Sequence, residues 1–233
     1  MKIVSFKICP FVQRVTALLE AKRLDYDVAF IELSDKPQWF LDISPTGQVP
    51  ILITDDGDVL FESDAIVEYI DEAYPALEPD IPLETKAANR AWSYLATKNY
   101  LVQCSAQRSP SENVLRERAD KLGKAFDTIE KQVGGTPFFG GETMGMVDIA
   151  WLTLLHRTDI IRQRTCFDFL GDRPNLKAWR DSILATGLAE KSVAPDFEDA
   201  FAAFYLSDQT FLGRGCAVEN GTFADACATD ACC

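Results

Sequence analysis

The pattern of this chain changes at a short proline-rich segment about one third of the way along. Before this segment, strand-like and helix-like runs alternate, whereas after it only helical periodicity is found. The segment, residues 74–82, reads YPALEPDIP and holds three prolines in nine residues, which is typical of a linker. A chain of 233 residues with such a change predicts two units, a small α/β domain and an all-helical domain.

The first unit, residues 1–75, follows the order strand, helix, strand, short helix, strand, strand, helix. Its strands are expected at residues 3–8, 26–33, 49–54 and 59–61, and its helices at 11–23, 36–43 and 63–74. The last two strands flank the sequence DDGD, a hairpin signal in which Gly57 can supply a positive φ. This order predicts a small mixed sheet covered by helices.

The second unit is expected to span residues 84–212 and to contain only helices. Helical periodicity is found at residues 86–107, 111–133, 147–164, 174–185 and 195–206. The remaining tail, residues 213–233, is rich in Gly, Ala, Asp and Cys and shows no apolar period, which favours a poorly ordered segment. The sequence leaves the role of this tail open.

Charge and cysteine content limit the partners of the chain. A formal net charge of −13, with no run rich in Lys or Arg, argues against nucleic acid and anionic membranes as partners. No secretory signal pattern and no run of about 18 apolar residues is visible, so we expect a cytoplasmic protein. In that reducing compartment the seven cysteines are expected to be free thiols: Cys9, Cys104, Cys166, Cys216, Cys227, Cys232 and Cys233.

The first cysteine, Cys9, comes directly before Pro10 at the start of a predicted helix. Proline suits the first helical position, because it lacks the N–H group that would stay unpaired there. A thiol just before this position lies where backbone N–H groups and the helix dipole favour a negative charge, so we expect a lowered pKa. Val12 stands where a C-x-x-C motif would place a second cysteine, so Cys9 is a monothiol that needs an external thiol for its release. Alternatively, Cys9 is a small buried apolar residue.

Three segments in register carry a family resemblance. They are CPFVQRV from Cys9, LSDKPQWFLDISPTGQVPIL from Leu33, and FESDAIVEYIDEAYP from Phe61. At these spacings the chain resembles the glutathione transferases, most closely the cysteine-type members, which are the omega class and the dehydroascorbate reductases. The resemblance implies a thioredoxin-like N-terminal domain, an all-α C-terminal domain and a site for the cosubstrate glutathione between them.

The resemblance implies a cis peptide bond at Val49-Pro50. Such a bond turns backbone groups outward, so the N–H and C=O groups of Val49 can pair with the cysteinyl part of glutathione, like a strand added to a sheet edge. Phe11 is expected to wall the Cys9 thiol, or else to belong to the core.

The resemblance also assigns the two ends of glutathione. The Ser63 hydroxyl and the helix N–H groups can hold the γ-glutamyl carboxylate, and the Glu62 carboxylate can pair with the ammonium group. Ser63 would serve equally well as a plain helix cap. Lys36 matches the lysine that meets the glycine end, although alone it reads as a solvated surface residue.

The acceptor site is implied only by element. In the resembling proteins it is formed by the first and last helices of the second domain, and by the loop that bears the cysteine. The aromatic candidates in these stretches are Trp92, Tyr100, Phe201 and Tyr205, each of which would also suit a helical core. No metal site is expected, because His156 is the only histidine and the cysteines of the tail lack zinc-ligand spacing.

The leading interpretation is a glutathione-dependent thiol transferase or dehydroascorbate reductase that acts on a small oxidised or electrophilic acceptor. Two alternatives stay open: a glutathione-conjugating or thioether-cleaving transferase, and a non-catalytic binding or regulatory protein of the same fold. Conjugation usually relies on a Tyr or Ser near the first strand, and here only Ser5 is available before Tyr26. The resemblance also leaves a homodimer or a monomer open.

One stability expectation follows from GETMGMVDIAW, residues 141–151. The resembling proteins have a Ser or Thr three residues before Asp148, where this chain has Gly145. Because glycine is a poorer N-cap than serine, a Gly145→Ser change is expected to raise the thermal stability.

Overall fold

A computed structural model describes residues 1–215. The rest of the tail, with Cys216, Cys227, Cys232 and Cys233, lies outside the described residues, so the expectation for it stays a prediction. Of the three cysteines within the described range, Cys9 and Cys104 are free and Cys166 is disulfide-bonded. The expectation that every cysteine is a free thiol is therefore wrong for Cys166.

Four strands form one mixed sheet in the order β2-β1-β3-β4. They are β1 (Lys2–Ser5), β2 (Asp27–Phe30), β3 (Ile51–Ile53) and β4 (Val59–Phe61). Strands β1 and β2 run parallel, which requires a crossover connection, and helix α1 (Pro10–Lys22) supplies it. The other pairs are antiparallel, and β3 and β4 are joined through the hairpin in which Gly57 has φ +91°, as expected.

The alternation of side chains along the strands gives the sheet two covered faces. Ile3 and Leu52 point to the face on which α1 and α3 (Ser63–Ala73) pack. Val4 and Ile51 point to the opposite face, where they pack with the fully buried Phe40 of α2 (Gln38–Ile43). Helices therefore bury apolar side chains on both faces of the sheet.

The remaining described chain is helical. Its elements are α4 (Leu83–Gln107), α5 (Glu112–Glu130), α6 (Met146–Arg164), α7 (Pro174–Leu184), α8 (Leu188–Lys191) and α9 (Phe197–Tyr205). Helix α6 is central, because all of its residues from Val147 to Ile161 are buried. The architecture of a mixed sheet with helices followed by an all-helical part confirms the predicted fold class. The short helix α8, which follows Gly187 at φ +69°, was not expected from the sequence.

Helix α1 joins the two parts through polar contacts in their buried interface. Gln13 Nε2 lies 2.8 Å from His156 Nδ1, and the Thr16 hydroxyl donates to the Ser192 carbonyl oxygen at 2.6 Å. Because Cys9 directly precedes α1 as its N-cap residue, these contacts fix the position of Cys9 against the helical part.

The start of α6 shows a cap that the sequence did not reveal. The Asp148 carboxylate accepts hydrogen bonds from the N–H groups of Gly145 at 2.8 Å and Phe139 at 2.9 Å, as a capping box predicts. The Met146 N–H group, however, donates to Glu78 Oε2 at 2.8 Å, so a linker carboxylate also caps this helix. A Cβ atom on Gly145 would lie 2.6 Å from the Glu78 carboxyl carbon. A serine at this position would have to displace the Glu78 carboxylate, so the structure argues against the expected stabilisation by Gly145→Ser, which stays a prediction.

Candidate active site

A cavity of about 1010 Å³ lies between the sheet part and the helical part, and Cys9 is on its wall. Of the residues that the sequence singled out, this interdomain cavity brings together Cys9, Phe11, Lys36, Val49 and Tyr205. Three basic side chains, Lys7, Lys36 and Arg108, and one acidic side chain, Glu32, also line it. In a chain with a net charge of −13, this is a locally basic surface.

Cys9 occupies the N-cap position of α1, with Pro10 as the first helical residue, as expected. The N–H groups of Phe11 and Val12 lower the pKa of its thiol, although neither forms a capping hydrogen bond to the sulfur. The side chain is only 5% exposed, and this burial outweighs those groups and raises the pKa of Cys9 to about 11. The expected lowering of the pKa is therefore wrong in its net direction, because the sequence shows the helix terminus but not the burial.

Arg157 of α6 is a buried cation behind Cys9 that sequence analysis missed. Its Nη2 atom donates to the Ile8 carbonyl oxygen at 3.2 Å and to Gln13 Oε1 at 3.3 Å. Its guanidinium lies over the rings of Phe197 and Phe201, and its Nε and Nη1 atoms have no hydrogen-bond partner. Among residues 1–215, no carboxylate lies within hydrogen-bond distance of its guanidinium, and its charge lowers the pKa of Cys9. Arg157 thus stabilises negative charge at the sulfur.

A second, smaller cavity of about 70 Å³ adjoins the first, since both are lined by Phe11, Gln48 and Val49. Its other walls include Pro50, Glu62 and Ser63. The Val49-Pro50 peptide bond is cis, as expected. All six residues that the resemblance assigned to glutathione therefore line one or both of the two cavities.

The start of α3 has an unusual backbone. Glu62 is the N-cap residue with φ +67° and ψ 118°, a conformation that non-glycine residues rarely adopt. Ser63 is the first helical residue and is 5% exposed, so it is not the plain cap that the sequence allowed. The exposed Glu62 side chain and the first N–H groups of α3 thus lie at one end of the small cavity.

Lys36 is half-buried on the loop before α2. Its Nζ atom donates to the carbonyl oxygen of Gly47, in the loop before Val49, at 2.8 Å. This bond ties the two loops together and leaves two of the three ammonium hydrogens available. Lys36 therefore has a structural contact and is not a purely solvated lysine.

One of the four aromatic acceptor candidates lines the interdomain cavity, and the other three do not. Tyr205 lines the interdomain cavity, whereas Trp92, Tyr100 and Phe201 do not. The Trp92 ring packs against Phe139 at 5.9 Å, the Tyr100 hydroxyl donates to the Ala150 carbonyl oxygen, and Phe201 is fully buried. The predicted helices, α4 and α9, do form this wall, but through other residues: Leu101, Cys104, Ser105, Arg108, Ala200, Ala203 and Phe204. The Trp92 and Tyr100 side chains of α4 pack in the core instead.

Other candidate catalytic groups do not act on Cys9. The Ser5 hydroxyl is buried and donates to the Phe6 carbonyl oxygen at 2.8 Å. Burial lowers the pKa of His156 to about 3, and its Nδ1 atom is bonded to Gln13, so it stays neutral. Within residues 1–215, no group of three or more His, Cys, Asp or Glu side chains could hold a metal ion. Among the same residues, every helix is too short or too polar to cross a membrane.

Comparisons with known proteins confirm the resemblance. The family model for the glutathione S-transferase N-terminal domain matches residues 8–73, and the model for the C-terminal domain matches residues 112–182. Glutathione S-transferase omega-1 of Rattus norvegicus is 31% identical, over 89% of this chain and 87% of that protein. Glutathione S-transferase DHAR2 of Arabidopsis thaliana is 35% identical, over 65% of this chain and 68% of that protein.

A solved structure has the same fold. Glutathione transferase Omega 3C of Trametes versicolor superposes with a TM-score of 0.70 at 24% identity, over 83% of this chain and 88% of that one. The two family models together span more than half of the chain, and the rat protein matches most of its length. The chain therefore belongs to the glutathione S-transferase family, an enzyme family whose cosubstrate is glutathione.

Proposed function

We propose that this chain is a glutathione-dependent thiol transferase of the dehydroascorbate reductase type, with Cys9 as its nucleophile. The observation that carries the proposal is the placement of Cys9: a free thiol at the start of α1, on the wall of the interdomain cavity. A thiol at this position forms a mixed disulfide with glutathione more readily than it activates glutathione for attack on an electrophile.

Glutathione is proposed to extend from the small cavity to Cys9. The backbone of Val49, next to the cis bond, pairs with its cysteinyl part, while Glu62 and the start of α3 with Ser63 hold its γ-glutamyl end. Lys36 receives the glycine carboxylate, and Phe11 walls the Cys9 thiol. The basic lining of the cavity supports this arrangement, since glutathione carries two carboxylates and one ammonium group.

The proposed reaction proceeds by thiol exchange. The Cys9 thiolate attacks the glutathionyl sulfur of a mixed disulfide, which leaves the glutathionyl group on Cys9 and releases the other sulfur as a thiolate that takes up a proton. With dehydroascorbate, the thiolate adds to a carbonyl carbon, and a first glutathione then attacks the Cys9 sulfur, so that ascorbate leaves with two electrons and the glutathionyl group again lies on Cys9. A second glutathione then attacks this adduct and leaves as glutathione disulfide. At a pKa of about 11 the thiolate is a minor species at neutral pH. Arg157 and the N–H groups of Phe11 and Val12 are therefore needed to lower the free energy of ionising the thiol.

The proposal is tested with Cys9→Ser in assays of dehydroascorbate reduction and of mixed-disulfide reduction. Both activities are expected to be lost, while retention on immobilised glutathione persists, because the other binding groups are unchanged. Undiminished reduction by Cys9→Ser would refute the scheme. A gain of conjugating activity in the variant would favour the conjugating alternative, and failure of the unaltered chain to bind glutathione would favour a non-catalytic protein.

Assembly and location belong to the proposal as well. We infer a homodimer as the form common in the family, supported by exposed apolar side chains such as Phe61 and Tyr69 at the surface of β4 and α3. Sedimentation equilibrium distinguishes a dimer from a monomer. A cytoplasmic location is proposed from the free thiols Cys9 and Cys104, although the disulfide at Cys166 is a bond that a reducing compartment disfavours; cell fractionation tests it.

A further inference from the structure

A second free thiol, Cys104, lines the same interdomain cavity as Cys9. It belongs to the last quarter of α4, on the far wall from the sheet part, and is half-buried. Cys9 and Cys104 are the two free cysteines of residues 1–215. Two thiols that line one cavity make up a dithiol that no C-x-x-C spacing reveals, because 94 residues separate them in the sequence (104 minus 9, less one).

Packing of α1 against α4 brings the two thiols together. The rings of Phe11 and Tyr100 meet edge to face, with centroids 5.3 Å apart. Phe11 is two residues after Cys9, and Tyr100 is four residues before Cys104, which puts Tyr100 and Cys104 one turn apart on one side of α4. The thiols are near enough that a negative charge on Cys104 opposes ionisation of Cys9.

Tyr205 of α9 completes the surroundings of Cys104. It lines the same cavity as both thiols, and a negative charge on Cys104 or on Cys9 opposes ionisation of its hydroxyl. Burial raises the pKa of Tyr205, so the phenol keeps its proton and can donate to a sulfur anion on Cys104. The cation Arg157, which acts on Tyr205 as well as on Cys9, offsets negative charge in the same region.

We propose that Cys104 is the resolving thiol of this enzyme, which attacks the glutathione adduct on Cys9 and forms a Cys9–Cys104 disulfide across the cavity. This inference rests on the proposed function, because it requires the adduct on Cys9. In the step, the S–S bond between Cys9 and glutathione breaks, a bond between the two protein sulfurs forms, and glutathione leaves as a thiolate that takes up the proton lost by Cys104.

The exchange conserves electrons, since one disulfide replaces another. Free glutathione then returns the enzyme to the dithiol state. One molecule attacks the Cys9–Cys104 disulfide and a second removes the first, which yields two protein thiols and glutathione disulfide. Because Cys104 is tethered within the cavity, its effective concentration, on the order of millimolar, lets it compete with free glutathione for the adduct.

The test follows the fate of the adduct. The reduced full chain, freed of glutathione, is mixed with glutathione disulfide, quenched at intervals with acid and a maleimide, and digested without reduction for mass spectrometry. The unaltered chain is expected to show a short-lived adduct on Cys9, followed by a linked Cys9–Cys104 peptide pair. In Cys104→Ser the adduct is expected to live about tenfold longer or more, because no second thiol reaches it.

Cys104→Ala serves as the matched control, because it also removes the thiol but without a hydroxyl. Equal persistence of the adduct in both variants assigns the effect to the lost thiol. An adduct of equal lifetime in the unaltered chain and in Cys104→Ser, with no linked peptide pair, would overturn this inference alone. Absence of any adduct on Cys9 in Cys104→Ser would overturn the proposed function with it. Peptide-level mapping keeps Cys166 and the cysteines of the tail out of the count.

Discussion

The contacts at the start of α6 predict a stability change that is opposite in sign to the usual preference for serine over glycine as an N-cap residue. Serine is normally a better N-cap than glycine, yet Gly145→Ser is expected to destabilise this chain. Gly145 has an ordinary φ of −119°, so the effect does not come from backbone strain. A Cβ atom there would lie 2.7 and 2.8 Å from the two Glu78 carboxylate oxygens, closer than van der Waals contact allows.

The magnitude follows from the hydrogen bonds that Glu78 must give up. Its Oε2 atom accepts from the Met146 N–H group at 2.8 Å, and its Oε1 atom accepts from Asn89 Nδ2 at 3.1 Å. Loss of one bond to a charged group costs about 1.5–3 kcal/mol. A serine hydroxyl that caps the helix instead returns about 1 kcal/mol. The net loss is about 0.5–2 kcal/mol, which corresponds to a fall in Tm of roughly 1–8 °C for a chain of this size.

A double-mutant cycle with Glu78→Ala isolates the cause. Once the Glu78 carboxylate is removed, the space beside Gly145 is open and α6 lacks its outer cap, so Gly145→Ser should now stabilise the chain by about 1 kcal/mol. Thermal unfolding followed by circular dichroism on all four proteins measures both effects. A higher Tm for Gly145→Ser in the unaltered background, or the same sign in both backgrounds, would show that the steric conflict with Glu78 is not the reason.

Three other predictions concern the interface and the site. Because burial holds the pKa of His156 at about 3, below its ordinary value of about 6.5, the folded state loses stability as the pH falls through this window, by up to about 1.4 kcal/mol per pH unit. His156→Gln should flatten that loss in urea unfolding at pH 7 and pH 4, and equal losses would contradict it. Arg157→Gln should move the pH midpoint of Cys9 alkylation by iodoacetamide to a higher value. Arg157→Lys keeps the positive charge, so its midpoint should stay near that of the unaltered chain. An unchanged midpoint in the glutamine variant would show that Arg157 has no electrostatic effect on Cys9. Glu62→Gly and Glu62→Ala should both bind immobilised glutathione more weakly. The free energy of unfolding should be about 1 kcal/mol higher for the glycine variant than for the alanine variant, because a φ of +67° strains alanine but not glycine. Equal free energies of unfolding for the two variants would argue against that strain.

Local patterns were enough to predict most of the fold. The run of residues 3–8 correctly indicated the first strand, although β1 ends at Ser5, and Pro10 and Pro174 marked the first residues of α1 and α7. Helix α8 could not be predicted in this way, because four residues are too few to show a period of 3.6.

The candidate site was predictable only where its residues belong to short motifs. Cys9 with Pro10 and Val49 with Pro50 each form a signal of adjacent residues. Arg157, by contrast, lies in the middle of a buried helix and carries no motif, and it reaches the Cys9 region only because α6 packs against α1.

The wall of the interdomain cavity that α4 and α9 form shows a different limit of prediction from the sequence. The choice of Trp92 and Tyr100 rested on residue type, and large aromatic side chains are also those that a helical core retains. Helix α4 turns these rings inward and leaves Leu101, Cys104 and Arg108 on the cavity. Which face of a helix meets a cavity depends on its packing against other elements, and the sequence of that helix alone did not decide it.

Burial of Cys9 is compatible with catalysis, because the rate depends on more than the thiolate fraction. At a pKa of about 11, roughly one thiol in ten thousand is ionised at pH 7. The nucleophilicity of a thiolate rises with its pKa, with a Brønsted coefficient of about 0.4–0.5, so nearly half of that loss, on a logarithmic scale, is recovered. The N–H groups of Phe11 and Val12 and the charge of Arg157 are fixed by the fold, whereas desolvation depends on what lies beside the sulfur. These fixed groups still act on the sulfur when a disulfide occupies the interdomain cavity, whereas a thiol that is mostly protonated at rest reacts slowly with other oxidants.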